Sequence, residues 1–290
     1  MEPGIILHGG ARKSQGERDE FEVNFVKDYA AKTYKLLKKG MSAVDAIEIA
    51  IVLMENNPTF DAGTGSYVQY DRKVRMTAVM MDSQRVLPYG VVNVENVKNP
   101  ILGAKLLRDI GQILGGSEAT YFLRKHGFEH YNPIRPESYE FPKPIVDGPK
   151  PGYLTSPTTV GAVAIDIWGN IAAATSTGGV GGETPGRIGD VATTAATYAN
   201  KVIGISSSGK GEYNHAVGLA QAIRTRVADG LELEDAVKKT FDELKELGSK
   251  AGVIAIHKKY DEQIIIKPFF NTETMIWASM LKDELKHTFS

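Results

Sequence analysis

Residues 156–190 read "SPTTVGAVAIDIWGNIAAATSTGGVGGETPGRIGD" and carry the strongest strand signal in the chain. Two apolar runs flank the turn WGN at 168–170, which predicts a β-hairpin. Both runs are apolar on both faces and rich in Ala and Gly, a pattern typical of strands covered by a layer on each side. Thr158 and Thr159 stand where the chain enters the first strand, and Thr177 ends the second. Hydroxyl groups at the edge of a buried hairpin make these positions candidates for chemistry.

Strands and helices continue on both sides of the hairpin. Before it, the pattern predicts strands at 4–10, within 60–82 and at 86–94, and helices at 20–37, 43–57, 101–110 and 118–126. After it come a strand at 201–209, helices at 212–229 and 233–247, and a hairpin at 252–270 that closes the chain. Sheet content in both halves, with helices before and after, predicts an α+β fold in which sheets pack together between layers of helices.

The domain organisation follows from length and from one biased segment. Residues 131–157 are rich in Pro and Gly, which predicts a connector or a mobile loop rather than core. With 290 residues, 42% of them hydrophobic, the chain can bury one large core or two modest ones. No internal repeat divides it, so we expect a single domain over residues 1–290.

Composition excludes several classes of function. Lys and Arg total 34 against 35 for Asp and Glu, a formal net charge of -1, so we expect neither nucleic acid nor a membrane as partner. With 0 Cys and 6 scattered His, the chain has no disulfide, no thiolate nucleophile and no zinc-ligand motif, and we expect no metal site built from side chains. His8, at a strand end, is expected to lie in the core. The start lacks a signal-peptide pattern and no apolar stretch is long enough for a bilayer, which favours a cytoplasmic location.

The stretch "GISSSGKG" at 204–211 is open to three interpretations. A strand precedes it and a helix follows it, as in a phosphate-binding P-loop, but Gly211 stands where a P-loop has the Ser or Thr that ligates magnesium. Hydroxyls and glycines at a strand end also suit an oxyanion hole. A Ser/Gly turn without a function is the third interpretation.

Five motifs occur in an order and at spacings that resemble one enzyme family. They are HGGA at 8–11, FDAGTGS at 60–66, TVGAVAIDIWGNIAAATSTGG at 159–179, PGRIGD at 185–190 and ANKVIGISSSGKGE at 199–212. Together they resemble the plant-type L-asparaginase and isoaspartyl-peptidase family of N-terminal nucleophile hydrolases, nearly from end to end. The resemblance implies a four-layer αββα sandwich.

Thr159 stands at the position of the family's nucleophile. A threonine hydroxyl needs a base at neutral pH, and no His or Lys is near Thr159 in sequence. If the bond between Thr158 and Thr159 breaks, the new α-amino group, whose pKa is about 7.7–8 in peptides, can accept the hydroxyl proton. The resemblance therefore implies self-cleavage after Thr158, which gives an α subunit of residues 1–158 and a β subunit of residues 159–290.

Further motif positions match functional residues of the family. Thr177 resembles the residue that hydrogen-bonds the nucleophile's hydroxyl. Ser208 and Gly209 resemble the oxyanion-hole pair. Asp61 falls where relatives often have Asn near the nucleophile and is expected to support the site.

The substrate pocket is expected around the motif PGRIGD. Arg187 and Asp190 resemble the pair that binds the α-carboxylate and the α-ammonium of the substrate, and Gly211 is expected to line the same pocket. An Arg side chain offers a bidentate fork to a carboxylate, and an Asp offers acceptors to an ammonium. Without the neighbouring threonines, an Arg and an Asp three residues apart would be interpreted as a structural ion pair.

The resemblance implies an enzyme that hydrolyses the side-chain amide of L-asparagine, and β-aspartyl dipeptides, without a catalytic cofactor. A glycosylasparaginase-type amidase and a threonine endopeptidase are alternatives within the class, and a phosphate- or nucleotide-binding protein is the alternative outside it. The family also implies a homodimer of αβ units and a structural sodium bound by main-chain carbonyls near residues 54–60.

Four departures from the family's pattern bear on self-cleavage. Thr158 replaces the usual Gly and puts a β-branched side chain at the scissile bond. Asp61 replaces a neutral amide with a carboxylate, and Lys210 stands where a small hydroxyl residue is common. The connector is also short, which restricts the scissile peptide, so we expect slow or incomplete processing.

Overall fold

The computed structural model describes residues 1–133 and 159–290. Thr158 and the predicted connector beyond Pro133 lie outside the described residues. The strands are β1 (Gly4–Arg12), β2 (Met76–Asp82), β3 (Tyr89–Val94), β4 (Ile113–Gly115), β5 (Val160–Ile165), β6 (Ile171–Thr177), β7 (Thr197–Ala199), β8 (Ile203–Gly209), β9 (Ala251–Lys258), β10 (Ile264–Phe270), β11 (Thr274–Leu281) and β12 (Glu284–His287). The α-helices are α1 (Glu17–Lys38), α2 (Ala43–Glu55), α3 (Pro100–Leu106), α4 (Gly116–Lys125), α5 (Gly211–Val217), α6 (Leu219–Ala228) and α7 (Leu233–Glu246).

The strands form two sheets. The large sheet has the order β12-β11-β1-β5-β6-β2-β3-β4, and the small sheet has the order β10-β9-β8-β7. In the large sheet, strands from the two sides of the expected cleavage site interleave. Leu7 of β1 pairs with Ala278 of β11 on one side and with Ala162 of β5 on the other, both antiparallel. The N-terminal strand is therefore enclosed by two strands from the second half of the chain.

Each sheet contacts helices and also contacts the other sheet. Helices α1 and α2 contact β11, β5 and β6 of the large sheet, and α3 and α4 contact β3. Strands β1, β5 and β6 of the large sheet contact strands of the small sheet, chiefly β8 and β9. Helices α6 and α7 contact β8 and β9. The chain is thus a mixed α/β fold, and every residue of β5 and β6 is buried, as the apolar hairpin predicted.

Small residues allow the two sheets to approach each other. A Cβ at Gly204 of β8 would lie 2.6 Å from side-chain carbons of Ile171 and Val163 in the large sheet. A Cβ at Gly161 of β5 would lie 2.1 Å from Ser206 Oγ and 2.2 Å from His8 Nε2. Glycine is therefore required at both positions because another residue would push the sheets apart.

Helix boundaries follow local signals. The Ser42 side chain accepts a hydrogen bond from the Asp45 amide at 3.1 Å and caps α2. Gly40 follows α1 with a φ of 89°, the left-handed conformation expected of a C′ glycine. Among the described residues, no helix has both the length and the apolarity to span a bilayer.

Two predictions of elements are wrong. The helix predicted at 212–229 is broken at Gly218, whose φ of 59° ends α5 and starts α6 in a new direction. The hairpin of β9 and β10 does not close the chain, because β11 and β12 follow it. β11 pairs with β1 at the other end of the chain, a long-range pairing that the local pattern does not reveal.

Candidate active site

The hydroxyls of Thr159 and Thr177 meet at the end of the β5–β6 hairpin. Antiparallel pairing places Val160 opposite Ser176, so the next pair along the two strands is Thr159 and Thr177. Thr159 Oγ1 donates to Thr177 Oγ1 at 3.2 Å, and both residues are buried. Both side chains lie on the face that is turned toward the small sheet, because the neighbouring Val160 packs in the core on the helix side.

The Thr177 hydroxyl also bonds the turn that follows it. The Gly179 amide donates to Thr177 Oγ1 at 3.0 Å, and Gly179 has a φ of 100°, which few other residues adopt at low cost. The Thr177 oxygen therefore accepts from both the amide and the Thr159 hydroxyl, an arrangement that fixes the Thr159 hydroxyl in one direction.

Ser208 lies at the same end of the molecule as Thr159. Strand β1 contacts β8 twice: His8 Nε2 lies 3.0 Å from Ser206 Oγ, and the Ala11 amide donates to Ser208 Oγ at 3.2 Å. The same strand pairs His8 with Gly161, two residues after Thr159. The part of β1 that follows His8 therefore lies beside Thr159 in the large sheet and beside Ser208 of β8 in the small sheet. The structure brings the predicted nucleophile and the predicted oxyanion-hole pair to one end of the two sheets.

The P-loop interpretation of 204–211 has no support in the fold. Residues Ile203 to Gly209 form β8, and each is paired with β9, ending with Gly209 opposite Ala251. A phosphate loop needs a run of free backbone amides that surround the anion. In this chain the same segment is a paired strand, and Ser206 is directed into a buried contact with His8 and Thr175.

Arg187, Asp190 and Gly211 converge on a second cluster at the start of α5. A Cβ at Gly211 would lie 2.8 Å from Arg187 Nη2 and 2.9 Å from Asp190 Oδ1. Only a glycine therefore leaves these two side chains in place. The sequence predicted a substrate pocket at these three residues, and the structure places the three together.

Two residues that the sequence reasoning missed hold the pocket's charged groups. Arg187 Nε donates to Glu212 Oε1 at 2.7 Å, and Asn214 Nδ2 donates to Asp190 Oδ2 at 2.7 Å. Burial raises the pKa of Asp190, while the Asn214 hydrogen bond and the Arg187 charge oppose the shift. Glu212 directly follows Gly211 in the fifth motif, so the motif could have indicated it. No motif includes Asn214, whose contact with Asp190 depends on the fold.

Asp61 lies beside Thr177. Its carbonyl accepts from the Gly178 amide at 2.8 Å, and its Oδ1 accepts from the Tyr67 amide at 2.9 Å. A Cβ on Gly178 would lie 2.5 Å from Asp61 Oδ1, so the carboxylate packs directly against the residue after Thr177. Asp61 is fully buried. Lys210, the other departure near the site, is exposed, and its ammonium lies 5.7 Å from the ring centroid of Tyr213.

Main-chain carbonyls of the loop near residues 54–60 pack against two glycines. The carbonyl oxygens of Pro58 and Phe60 would lie 2.7 and 1.9 Å from a Cβ on Gly65, and that of Glu55 would lie 2.4 Å from one on Gly63. Only glycine fits at these two positions. The described residues contain no cluster of three or more His, Cys, Asp or Glu that could hold a metal.

Comparison with known proteins identifies the family. The sequence model of the family described as Asparaginase matches residues 1–290. An isoaspartyl peptidase/L-asparaginase of Synechocystis is 36% identical over 88% of this chain and 82% of its own length. A plant-type L-asparaginase of Pyrococcus horikoshii is 37% identical over 80% and 82%, and an isoaspartyl peptidase/L-asparaginase of Xenopus laevis is 32% identical over 98% and 94%. The chain belongs to the asparaginase family.

Proposed function

We propose that this protein is an amidohydrolase that converts L-asparagine to L-aspartate and ammonia and also hydrolyses β-aspartyl dipeptides. The observation that carries the proposal is the 3.2 Å contact between the Thr159 and Thr177 hydroxyls, at the same end of the sheets as Ser208. The names of the relatives, isoaspartyl peptidase/L-asparaginase and plant-type L-asparaginase, support it. They do not favour glycosylasparaginase or a phosphate-binding protein.

The proposed architecture is a four-layer αββα sandwich. The contacts of α1 and α2 with the large sheet, of that sheet with the small sheet, and of the small sheet with α6 and α7 support this order of layers. The single domain of residues 1–290 is proposed to become an α subunit of 1–158 and a β subunit of 159–290. Interleaving of β1 between β11 and β5 would keep the two fragments together.

Self-cleavage would create the catalytic base. The Thr159 hydroxyl attacks the carbonyl carbon of Thr158, the peptide C–N bond breaks, and the amide nitrogen takes the hydroxyl proton. Water then hydrolyses the resulting ester and leaves Thr159 with a free α-amino group. That amine sits on the nucleophile itself and, at a pKa of about 7.7–8 for a free α-amino group, accepts the hydroxyl proton near neutral pH.

The freed Thr159 would then attack the side-chain carbonyl carbon of the substrate. Ser208 and Gly209 stabilise the oxyanion, and Thr177 holds the attacking oxygen in line. The C–N bond breaks, and the leaving nitrogen takes the proton from the α-ammonium of Thr159. Water attacks the carbonyl carbon of the β-aspartyl ester and gives a proton to the α-amino group. The C–O bond to Thr159 then breaks, the α-ammonium returns that proton to Thr159 Oγ1, and aspartate is released.

Arg187 and Asp190 are proposed to recognise the amino-acid end of the substrate. The Arg187 guanidinium binds the α-carboxylate, and Asp190 accepts from the α-ammonium. Glu212 and Asn214 hold these side chains through their 2.7 Å hydrogen bonds, and Gly211 packs directly against both. The proposed substrate is a small molecule, and each of its two charged groups has a side chain of opposite charge to bind it.

No catalytic cofactor takes part in these steps. A structural sodium bound by main-chain carbonyls near residues 54–60 is proposed on the strength of the family resemblance. Such an ion would hold the loop that carries Asp61 in place. We further propose a homodimer of αβ units, on the strength of the family resemblance, and a cytoplasmic location.

The central test combines intact-mass analysis with an activity assay. Purified protein should yield fragments that begin at Met1 and Thr159, and only cleaved protein should release aspartate and ammonia from L-asparagine. Thr159→Ala should abolish both cleavage and hydrolysis while unfolding at nearly the same temperature, because it removes only a small side chain. A chain that stays whole on long incubation and is fully active would contradict the mechanism.

A further inference from the structure

Glu55 is a buried carboxyl group that the proposed mechanism does not use. It ends α2 on the helix side of the large sheet and is fully buried. Three groups donate to it: Ser176 Oγ at 2.7 Å, the Ile101 amide at 3.1 Å and Asn99 Nδ2 at 3.2 Å. Burying a carboxyl costs free energy that an apolar residue would avoid. The hydrogen bond from Ser176, the residue before Thr177, indicates a role for this buried carboxyl group.

Ser176 precedes Thr177 at the end of β6. The two side chains lie on opposite faces of the sheet, Thr177 toward the small sheet and Ser176 toward α2. After Thr177 the chain leaves the sheet through Gly178 and Gly179, whose backbones are more flexible than those of other residues. The position of Thr177 therefore depends on how firmly the last residues of β6 are held.

Thr177 is held on both sides by one short segment of the N-terminal half. The residue before it, Ser176, donates to the Glu55 carboxyl, and the residue after it, Gly178, donates to the Asp61 carbonyl at 2.8 Å. The chain just after Asp61 also packs against Glu55. A Cβ on Gly63 would lie 2.4 Å from the Glu55 carbonyl oxygen and 2.5 Å from its Cβ.

We propose that Glu55 is a positioning residue for catalysis: through Ser176 it fixes the end of β6 and so holds the Thr177 hydroxyl where it meets the nucleophile. This inference rests on the proposed function of Thr159 and Thr177. All three partners of Glu55 donate to it, which suits the two acceptor oxygens of a carboxyl group. Its bonds to Ile101 and Asn99 anchor it to the start of α3.

The test compares variants on either side of the contact. Ser176→Ala removes only the hydroxyl and should fold, Glu55→Ala removes the acceptor, and Glu55→Gln keeps an oxygen for Ser176. Glu48→Ala is the matched control, since Glu48 is on the same helix but pairs with Lys105 of α3. Activity on L-asparagine is divided by the fraction of cleaved chains, measured by intact mass, so that a processing defect does not enter kcat.

Ser176→Ala and Glu55→Ala should each lower kcat per cleaved chain by about tenfold or more, with KM changed by less than about twofold, because the substrate pocket is untouched. Glu55→Gln should retain kcat within about threefold, and Glu48→Ala should match the wild type. The Glu55→Ala/Ser176→Ala double variant should be no slower than Glu55→Ala alone, since both changes break one contact.

Two outcomes would overturn the inference: wild-type kcat in cleaved Ser176→Ala, or additive losses in the double variant. A merely structural Glu55 would lower the unfolding temperature and leave kcat per cleaved chain unchanged. Thr177→Val separates this failure from that of the proposed function. If Thr177→Val is inactive while Ser176→Ala is normal, only the role of Glu55 is wrong; if Thr177→Val is fully active, the proposed site itself is wrong.

Discussion

Thr159 Oγ1 and Thr177 Oγ1 lie 3.2 Å apart at the open end of one β-hairpin, and both side chains are buried. The antiparallel register of β5 and β6 produces this contact, because Val160 faces Ser176 and the next residues must then face each other. Burial removes competing water, so the Thr159 hydroxyl has a fixed partner and direction. Catalysis by Thr159 should therefore depend on Thr177.

Thr177→Val tests this dependence. Valine has nearly the shape of threonine but cannot accept a hydrogen bond from the Thr159 hydroxyl or from the Gly179 amide. We therefore expect kcat to fall by about 10²–10⁴ with little change in KM. Steady-state kinetics on L-asparagine, normalised to cleaved protein, measures it. Thr225→Val, on the exposed side of α6, is the control and should be silent. A change confined to KM would instead place Thr177 on the substrate.

The Arg187 guanidinium should discriminate between substrates by their α-carboxylate. Arg187→Ala should lower kcat/KM for L-asparagine by about ten- to a hundredfold, the value of one charge-assisted contact. For Arg187→Lys, kcat/KM should lie between the values for the wild type and Arg187→Ala, because an ammonium keeps the positive charge but cannot form the bidentate contact of a guanidinium. An asparagine whose α-carboxylate is amidated should be a poor substrate for the wild type. Equal hydrolysis of both compounds would exclude Arg187 from the specificity pocket.

Gly211→Ala should block the pocket without disturbing the nucleophile. The new Cβ would lie 2.8 Å from Arg187 Nη2 and 2.9 Å from Asp190 Oδ1, closer than Cβ atoms are found, so these side chains must move. We expect KM for L-asparagine to rise by about tenfold or more, while self-cleavage, which needs no substrate, proceeds normally. Gly115→Ala is the control, because its nearest contact would be 3.9 Å away. An unchanged KM would show that substrate does not bind beside Gly211.

His8 should make the protein sensitive to acid. Burial lowers its pKa to about 3, against an ordinary value of 6.5. Below pH 6.5 the unfolded chain binds a proton at this residue and the folded chain does not. The contribution of His8 to stability is therefore fully present above pH 6.5 and is lost as the pH falls from 6.5 toward 3, by about 1.4 kcal/mol per pH unit.

Denaturant unfolding at pH 7 and pH 5 measures this loss. His8→Gln keeps a polar group near Ser206 but does not titrate, so its free energy of unfolding should decline less between the two pH values, by about 2 kcal/mol. His130→Gln, at an exposed histidine, should decline as the wild type does. Parallel declines in wild type and His8→Gln would mean that His8 is protonated in the folded protein.

The local sequence determined much of this protein. Alternation and apolar runs predicted the hairpin of β5 and β6, because the side chains of one strand respond to the layer directly above and below it. The motifs were sufficient to name Thr159, Thr177, Arg187 and Asp190, and to assign the family that the comparison identifies. The helix ends at Gly40 and Ser42 also have local causes, the left-handed backbone of the glycine and the capping hydroxyl of the serine.

Tertiary structure decided what depends on partners far away in the chain. Nothing near Thr274 indicates that β11 pairs with β1, since that pairing joins the two ends of the chain. The contacts of Asn214 with Asp190 and of Glu55 with Ser176 are likewise invisible in sequence, because a polar residue shows its role only when its partner is in reach. Local patterns encode conformation and burial, whereas the geometry of a site comes from which distant strands lie side by side.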